Sequence, residues 1–238
     1  MMRKAMIAMA LVGVAEPAMA QVVTSKAKTA DYEFSYAYPA AAARIAGLKA
    51  WLDAERTRIQ AKTARDAAAG HREARKAGFP FNRYSFDQTW KVVTDTPRFL
   101  SLSGDSYNFT GGAHGSPASY GLLWDKAAGR RLDPKAVFVS LPALQAATRG
   151  DYCSRLKAEQ RRRNQGEVSS MNACPPVKDL TVLLGSTNGR AIDRIGLIAD
   201  PYVAGSYAEG AYEVTLPVTS AVVGAVKPGY RGAFAVRP

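Results

Sequence analysis

Thr110-Gly111-Gly112-Ala113-His114-Gly115 is the stretch of this sequence best suited to chemistry. Three glycines flank the only histidine of a region otherwise rich in strand signals. Glycine serves where the backbone needs positive φ or where another group must come close. A histidine held in such a turn either braces it or is presented to a ligand. As a general base, His114 would need Asp105 to orient it and a nucleophile such as Ser106 or Ser116. The spacing does not demand that arrangement. The plainer expectation is a tight glycine turn in which His114 bonds to backbone.

Other catalytic patterns are missing. With only His71 and His114, no histidine-based zinc set forms, and no metal site is expected. The chain has no phosphate-binding loop, paired-carboxylate motif or dinucleotide fingerprint, so no cofactor is expected. Trp51, Trp90 and Trp124 suit a core, because aromatic side chains bury large apolar areas. Tyr202 and Tyr207 fall in a Gly-, Ala- and Tyr-rich stretch and are the better candidates for exposure. The binding candidates are therefore Gly111, Gly112, His114, Tyr202 and Tyr207.

The compartment follows from the N-terminus. Arg3 and Lys4 precede an apolar run, Ala5 to Ala15, that is too short to span a bilayer. Ala18-Met19-Ala20 is a small-x-small cleavage pattern, which predicts a signal peptide over 1–20 and a mature chain from Gln21. Cleavage leaves 218 residues. Because the leader carries Arg3, Lys4 and Glu16, the formal charge falls from +12 to +11. A periplasmic or secreted product is expected. Its basic surface favours an anionic envelope component or an envelope protein as partner, with no nucleic acid and no integral membrane segment after cleavage. Cys153 and Cys174 make an even count in an exported chain, and the spacing is not that of a C-x-x-C redox pair. A structural disulfide closing this loop is worth about 3 kcal/mol.

The elements that must position these residues are legible as periodicities. Tyr32, Phe34, Tyr36 and Tyr38 alternate with polar or small residues and stop at Pro39, which predicts a half-buried strand. Ile45, Leu48, Leu52 and Ile59 share one helix face, and the polar run His71 to Lys76 reads as a solvated helix face. Strands are expected at Tyr84 to Val92, Arg98 to Ser103, Asp105 to Thr110 and Ala118 to Trp124, with Gly104 as a break and Gly129 in a hairpin turn. Ser140 caps a helix running to Arg163, with Gly150 as a possible interruption. Leu180 to Leu184 and Ile192 to Ile198 flank the hairpin signal Ser186-Thr187-Asn188-Gly189. Glu213 to Val218 is a last strand, and Val222 to Pro238 a weak strand or tail. The expected class is α+β: antiparallel sheets with two main helices packed on them, one compact unit of two subdomains. The first, 21–125, holds the meander and the glycine-histidine motif. The second, 126–238, holds the helix, the disulfide loop and the last hairpin.

Tyr107 to Gly115, with Tyr120, Trp124 and the turn Gly129 to Leu132, resembles an exported domain pair. That pair forms the ectodomain of RsiV-type, lysozyme-sensing anti-sigma factors. It also occurs near the N-terminus of PdaC-type peptidoglycan deacetylases. Asp200 to Gly210, followed by the strand Glu213 to Val218, is similar to its C-terminal end, so the resemblance covers most of Tyr32 to Ala221. It implies fold and compartment. Function carries over less well, since one fold hosts many activities, and this chain shows neither a sigma-binding segment nor a deacetylase domain.

By analogy, the expected activity is non-enzymatic recognition of a cell-wall glycan or of a cell-wall-acting protein such as a muramidase. Basic muramidases and a +11 chain repel at long range, which favours the glycan unless a local acidic patch around Asp200 and Glu209 intervenes. The alternative is a cell-wall hydrolase using His114.

Overall fold

A computed structural model describes residues 22–169, 171 and 174–237 of the 238 in the chain. The expected signal peptide, Met1 to Ala20, lies outside the described residues. The class is α+β, with a six-stranded mixed sheet, a three-stranded antiparallel sheet and two main helices.

The tyrosine-phenylalanine alternation forms β2 (Tyr32–Pro39), paired antiparallel with β1 (Val22–Lys28). Pro39 leads into a single turn, α1 (Ala40–Ala43), and then α2 (Ala46–Ala77). At 1.5 Å per residue α2 is about 48 Å long. The solvated run His71 to Lys76 is its last two turns. It ends at Gly78, whose φ of +73° lets the backbone N–H groups close on Ala74 and Arg75. Leu48, Leu52, Thr63 and Ala67 form the buried stripe.

The long crossover has a topological consequence. β3 (Tyr84–Asp95) returns parallel to β2, with Tyr32 opposite Tyr84 and Tyr36 opposite Gln88. This one junction departs from an all-antiparallel expectation, because a connection as long as α2 carries the chain back to the starting end of the sheet. β3 then pairs antiparallel with β4 (Phe99–Phe109), β4 with β5 (Ser116–Asp125) and β5 with β6 (Arg130–Leu132). β6 lies beyond residue 125 yet completes the first sheet.

Gly104 does not divide β4 into two strands as the sequence suggested. It sits inside one continuous strand opposite Trp90, whose ring covers it. A Cβ there would lie 2.9 Å from Trp90 Cε3, so the glycine provides room for the indole.

Residues alternate between the two faces of this sheet. Leu100, Leu102, Leu122 and Trp124 join Phe34, Tyr36, Leu48 and Leu52 in the core beneath α2. Phe99 and Leu123 point the other way, into a second core shared with α3 (Leu141–Arg163) and the sheet β7 (Thr181–Gly185), β8 (Arg194–Ala199) and β9 (Tyr212–Pro217). Ser140 caps α3, its Oγ accepting from the Ala143 N–H at 3.1 Å, and the helix passes Gly150 unbroken. Cys153 and Cys174 are joined, with Cα atoms 5.2 Å apart, tying α3 to the loop after it.

The C-terminal segment is neither strand nor loose tail. Thr219 caps a short helix, α4 (Ser220–Ala225), and isolated bridges pair Phe138 with Val226 and Ile192 with Phe234. Val222, Val226 and Phe234 thereby enter the second core.

Candidate functional site

Two regions at the far end of the β4–β5 hairpin gather the polar and aromatic groups. The first is the glycine-histidine loop itself. Gly111 takes φ +86°, and its carbonyl accepts from Asn82 Nδ2 at 3.0 Å. The Gly115 N–H donates to the Tyr107 hydroxyl at 3.0 Å, and a Cβ at Gly115 would run into the Tyr107 ring. Gly112 is open on all sides and makes no comparable approach.

His114 lies on the surface with Nδ1 3.0 Å from the Gly115 carbonyl. Its ring stacks on Tyr207, centroids 4.1 Å apart, and Tyr207 lies 5.9 Å from Tyr202. Three of the five sequence-derived binding candidates thus form one aromatic stair. Asp105 does not join it: its carboxylate is held by Lys91 Nζ at 3.0 Å, and it has no bond to His114.

The loop that carries the tyrosines is braced from below. Asp200 Oδ1 accepts from Ser119 Oγ at 2.6 Å and Oδ2 from the Ser119 N–H at 3.1 Å, fastening the loop to β5. Tyr202 holds a left-handed φ of +71°, and its N–H closes on the Gly205 carbonyl at 2.8 Å. Glu209 is the hub. Its carboxylate accepts from the Ser206 N–H, from Asn164 Nδ2 (both 2.7 Å) and from the Tyr212 hydroxyl at 2.5 Å. Those donors, with Tyr212 the largest contributor, hold its pKa down at about 2. Asp200 and Glu209 therefore act as internal acceptors rather than as a free acidic patch.

The second region escaped sequence reasoning. A groove of about 410 Å³ opens between α2 and the inward face of β3–β5. Beneath the first turns of α2 that face is filled by Leu100, Leu102, Leu122 and Trp124. Towards the hairpin end the corresponding positions are Phe86, Gln88, Ser106, Ala118 and Tyr120, opposite Glu55, Ile59 and Thr63 of the helix. Smaller and more polar side chains leave the space unfilled.

Gln88 is only 3% exposed and lines the groove; its amide makes no hydrogen bond among the described residues but is not sealed from the groove's solvent. Ser106 Oγ reaches only the Tyr120 hydroxyl at 3.4 Å and the Ala118 carbonyl at 3.5 Å. At the inner end, Trp90 Nε1 donates to the Tyr36 hydroxyl at 2.9 Å, which donates to Glu55 Oε2 at 2.5 Å. Burial pushes the Glu55 carboxyl up, against the opposing pull of Tyr36, Trp90, Arg58 and Arg131. Arg58 and Lys62 stand on the helix side, Lys62 bound to Asp66. The one available sequence signal was Gln88 itself, a polar residue at an inward position of the Phe86–Trp90 alternation.

His71 is engaged elsewhere, with Nδ1 2.7 Å from Asp31 Oδ1 and its ring stacked on Phe81. Among the described residues no three His, Cys, Asp or Glu side chains converge as a metal set, and no helix is long and apolar enough to cross a membrane.

Comparison with known proteins bears on this geometry. Residues 25–117 match the family described as Deacetylase PdaC, a stretch that includes α2 and runs to the start of β5. No curated protein matches the chain. A DUF3298 family protein from Pseudomonas aeruginosa PAO1 is similar in structure over 94% of this chain and 100% of its own, with 17% identity and a TM-score of 0.52. A DUF3298 member from Bacteroides fragilis NCTC 9343 is similar over 84% of this chain and 89% of its own, with 15% identity and a TM-score of 0.50. The resemblance read from Tyr107 to Gly115 is thus to a domain type of unknown function, and at these identities the structural likeness is one of fold.

Proposed function

We propose that the protein is exported to the cell envelope and there binds a cell-wall glycan without turning it over. The supporting observation is the Gln88 amide, which lines the groove beneath α2 and makes no hydrogen bond among the described residues. A ligand that takes over the bonds this amide makes to water in the groove gains about 0.5–1.5 kcal/mol for each. Amides and hydroxyls beside aromatic faces suit a sugar, whose hydroxyl and N-acetyl groups both donate and accept while its ring lies against Phe86 or Tyr120. The stair His114–Tyr207–Tyr202 is a separate aromatic surface, on a loop fastened to Ser119 rather than to the groove-lining Ala118 and Tyr120. The charge of the mature chain favours a glycan over a basic muramidase as partner.

Purified mature protein is mixed with peptidoglycan sacculi and pelleted at moderate salt. Co-sedimentation is expected, weakened about tenfold by Gln88→Leu, the equivalent of one lost hydrogen-bonding group. Failure to pellet, with recovery of a single muramidase-type partner from envelope extract, would replace the glycan by a protein. His114→Ala should weaken binding modestly. If the protein instead cleaves sacculi and this change lowers the rate ~10² or more, the hydrolase reading takes over.

A further inference from the structure

Away from the groove, three arginines from separate parts of the chain line one small cavity of about 290 Å³: Arg155 on α3, Arg194 at the start of β8, and Arg237 near the C-terminus. Thr215 of β9 adds a hydroxyl to the same wall. Like charges brought together normally carry carboxylates between them. Here the side chains of Arg155 and Arg237 have no ion-pair or hydrogen-bond partner among the described residues. Arg194 Nε is buried without a hydrogen bond. Among the described residues its one ion-pair contact is Asp193 Oδ1 at 4.0 Å, and Asp193 is itself engaged by the Thr187 N–H at 2.9 Å and by the Thr187 hydroxyl.

We infer that this cavity is an anion site for a phosphate group. A guanidinium is always charged and presents its donors as a planar fork matched to an oxyanion. Three such forks and a hydroxyl surround more acceptor positions than a planar carboxylate offers. A tetrahedral phosphate bearing up to two negative charges meets them from several sides. An ion there would relieve the mutual repulsion of the three cations. The site is separate from the groove, so it stands whether or not a glycan binds beneath α2.

The test is calorimetric titration of the mature protein with inorganic phosphate, ionic strength being held constant with sodium chloride. Saturable binding is expected. Arg194→Gln and Arg155→Gln should each weaken it about tenfold or more, the loss expected when a charge-assisted bond is removed. Arg237→Gln should act in the same direction, and its place near the chain end spares the fold. Arg190→Gln, an exposed arginine outside the cavity, should change nothing. A second arm distinguishes the source of the phosphate. Flotation with phosphatidic acid vesicles, competed by inorganic phosphate and lost in Arg194→Gln, would identify a lipid headgroup. Phosphate binding without flotation would identify a soluble phosphate. No phosphate binding, or binding untouched by the arginine changes, would overturn the site.

Discussion

Glu55 and Glu209 are the same side chain in two regions of this molecule, and their surroundings drive them in opposite directions. Glu209 accepts from a backbone N–H, an amide and a phenol, and its pKa falls to about 2. Glu55 has one phenol donor at the closed end of a groove, and burial pushes its carboxyl up. The loop region around Glu209 is closed on itself, with its acceptors used to hold Tyr202 and Tyr207 in place. The groove region leaves polar groups short of partners. Completed networks rigidify a fold, whereas incomplete ones in a cavity await something from outside.

That contrast can be broken or sharpened by experiment. The largest effect should come from the tether of the loop region. Replacing both Cys153 and Cys174 by Ser should cost about 3 kcal/mol of unfolding free energy in urea titration. It should also raise hydrogen exchange in the loop that brings Ser169 to Glu209. Glu209→Ala should cost about 2 kcal/mol through lost hydrogen bonds and should release the tyrosine stair, seen as a change in tyrosine fluorescence. Since the folded pKa of Glu209 is depressed, its contribution is present above pH 4.5 and disappears as pH falls towards 2, and the variant should lose that acid dependence.

Glu55 carries the opposite sign. Its folded pKa is raised, so stability is greatest below pH 4.5 and declines as pH rises through the folded value. Glu55→Gln should flatten that decline and leave neutral-pH stability equal or slightly higher. Gln88→Leu should change the melting temperature little, or raise it, even while it weakens sacculus binding. A clear loss of stability there would mean that the amide is internally satisfied after all. Gly112→Ala should be the mildest change, within roughly 0.5 kcal/mol, because nothing lies near its α-carbon. Gly115→Ala, against the Tyr107 ring, should be distinctly worse.

Local pattern carried much of the architecture. The alternation in Tyr32 to Tyr38, the serine cap at Ser140, the hairpin signal at Ser186 to Gly189 and the pairing of Cys153 with Cys174 are all expressed over short spans or by compartment chemistry. Gly104 was misleading because a glycine's neighbour in space, here Trp90, is invisible along the chain. The C-terminal stretch was misread because its order comes from Ile192 and Phe138, each more than forty residues away. Of the candidate site, the chain named His114, Tyr202 and Tyr207 but could not say that they stack.

What the sequence determined by itself was the alphabet of elements: which segments are strands or helices, where they are capped, and which aromatic and glycine residues fall in loops. Short-range sterics and hydrogen bonding suffice for that. Tertiary structure alone decided that a long helix lies over an incompletely filled sheet face, that the Gln88 amide is left waiting inside, and that Arg155, Arg194 and Arg237 converge. Cavities and charge clusters arise from groups distant in sequence, and their energies exist only once the chain has closed around them.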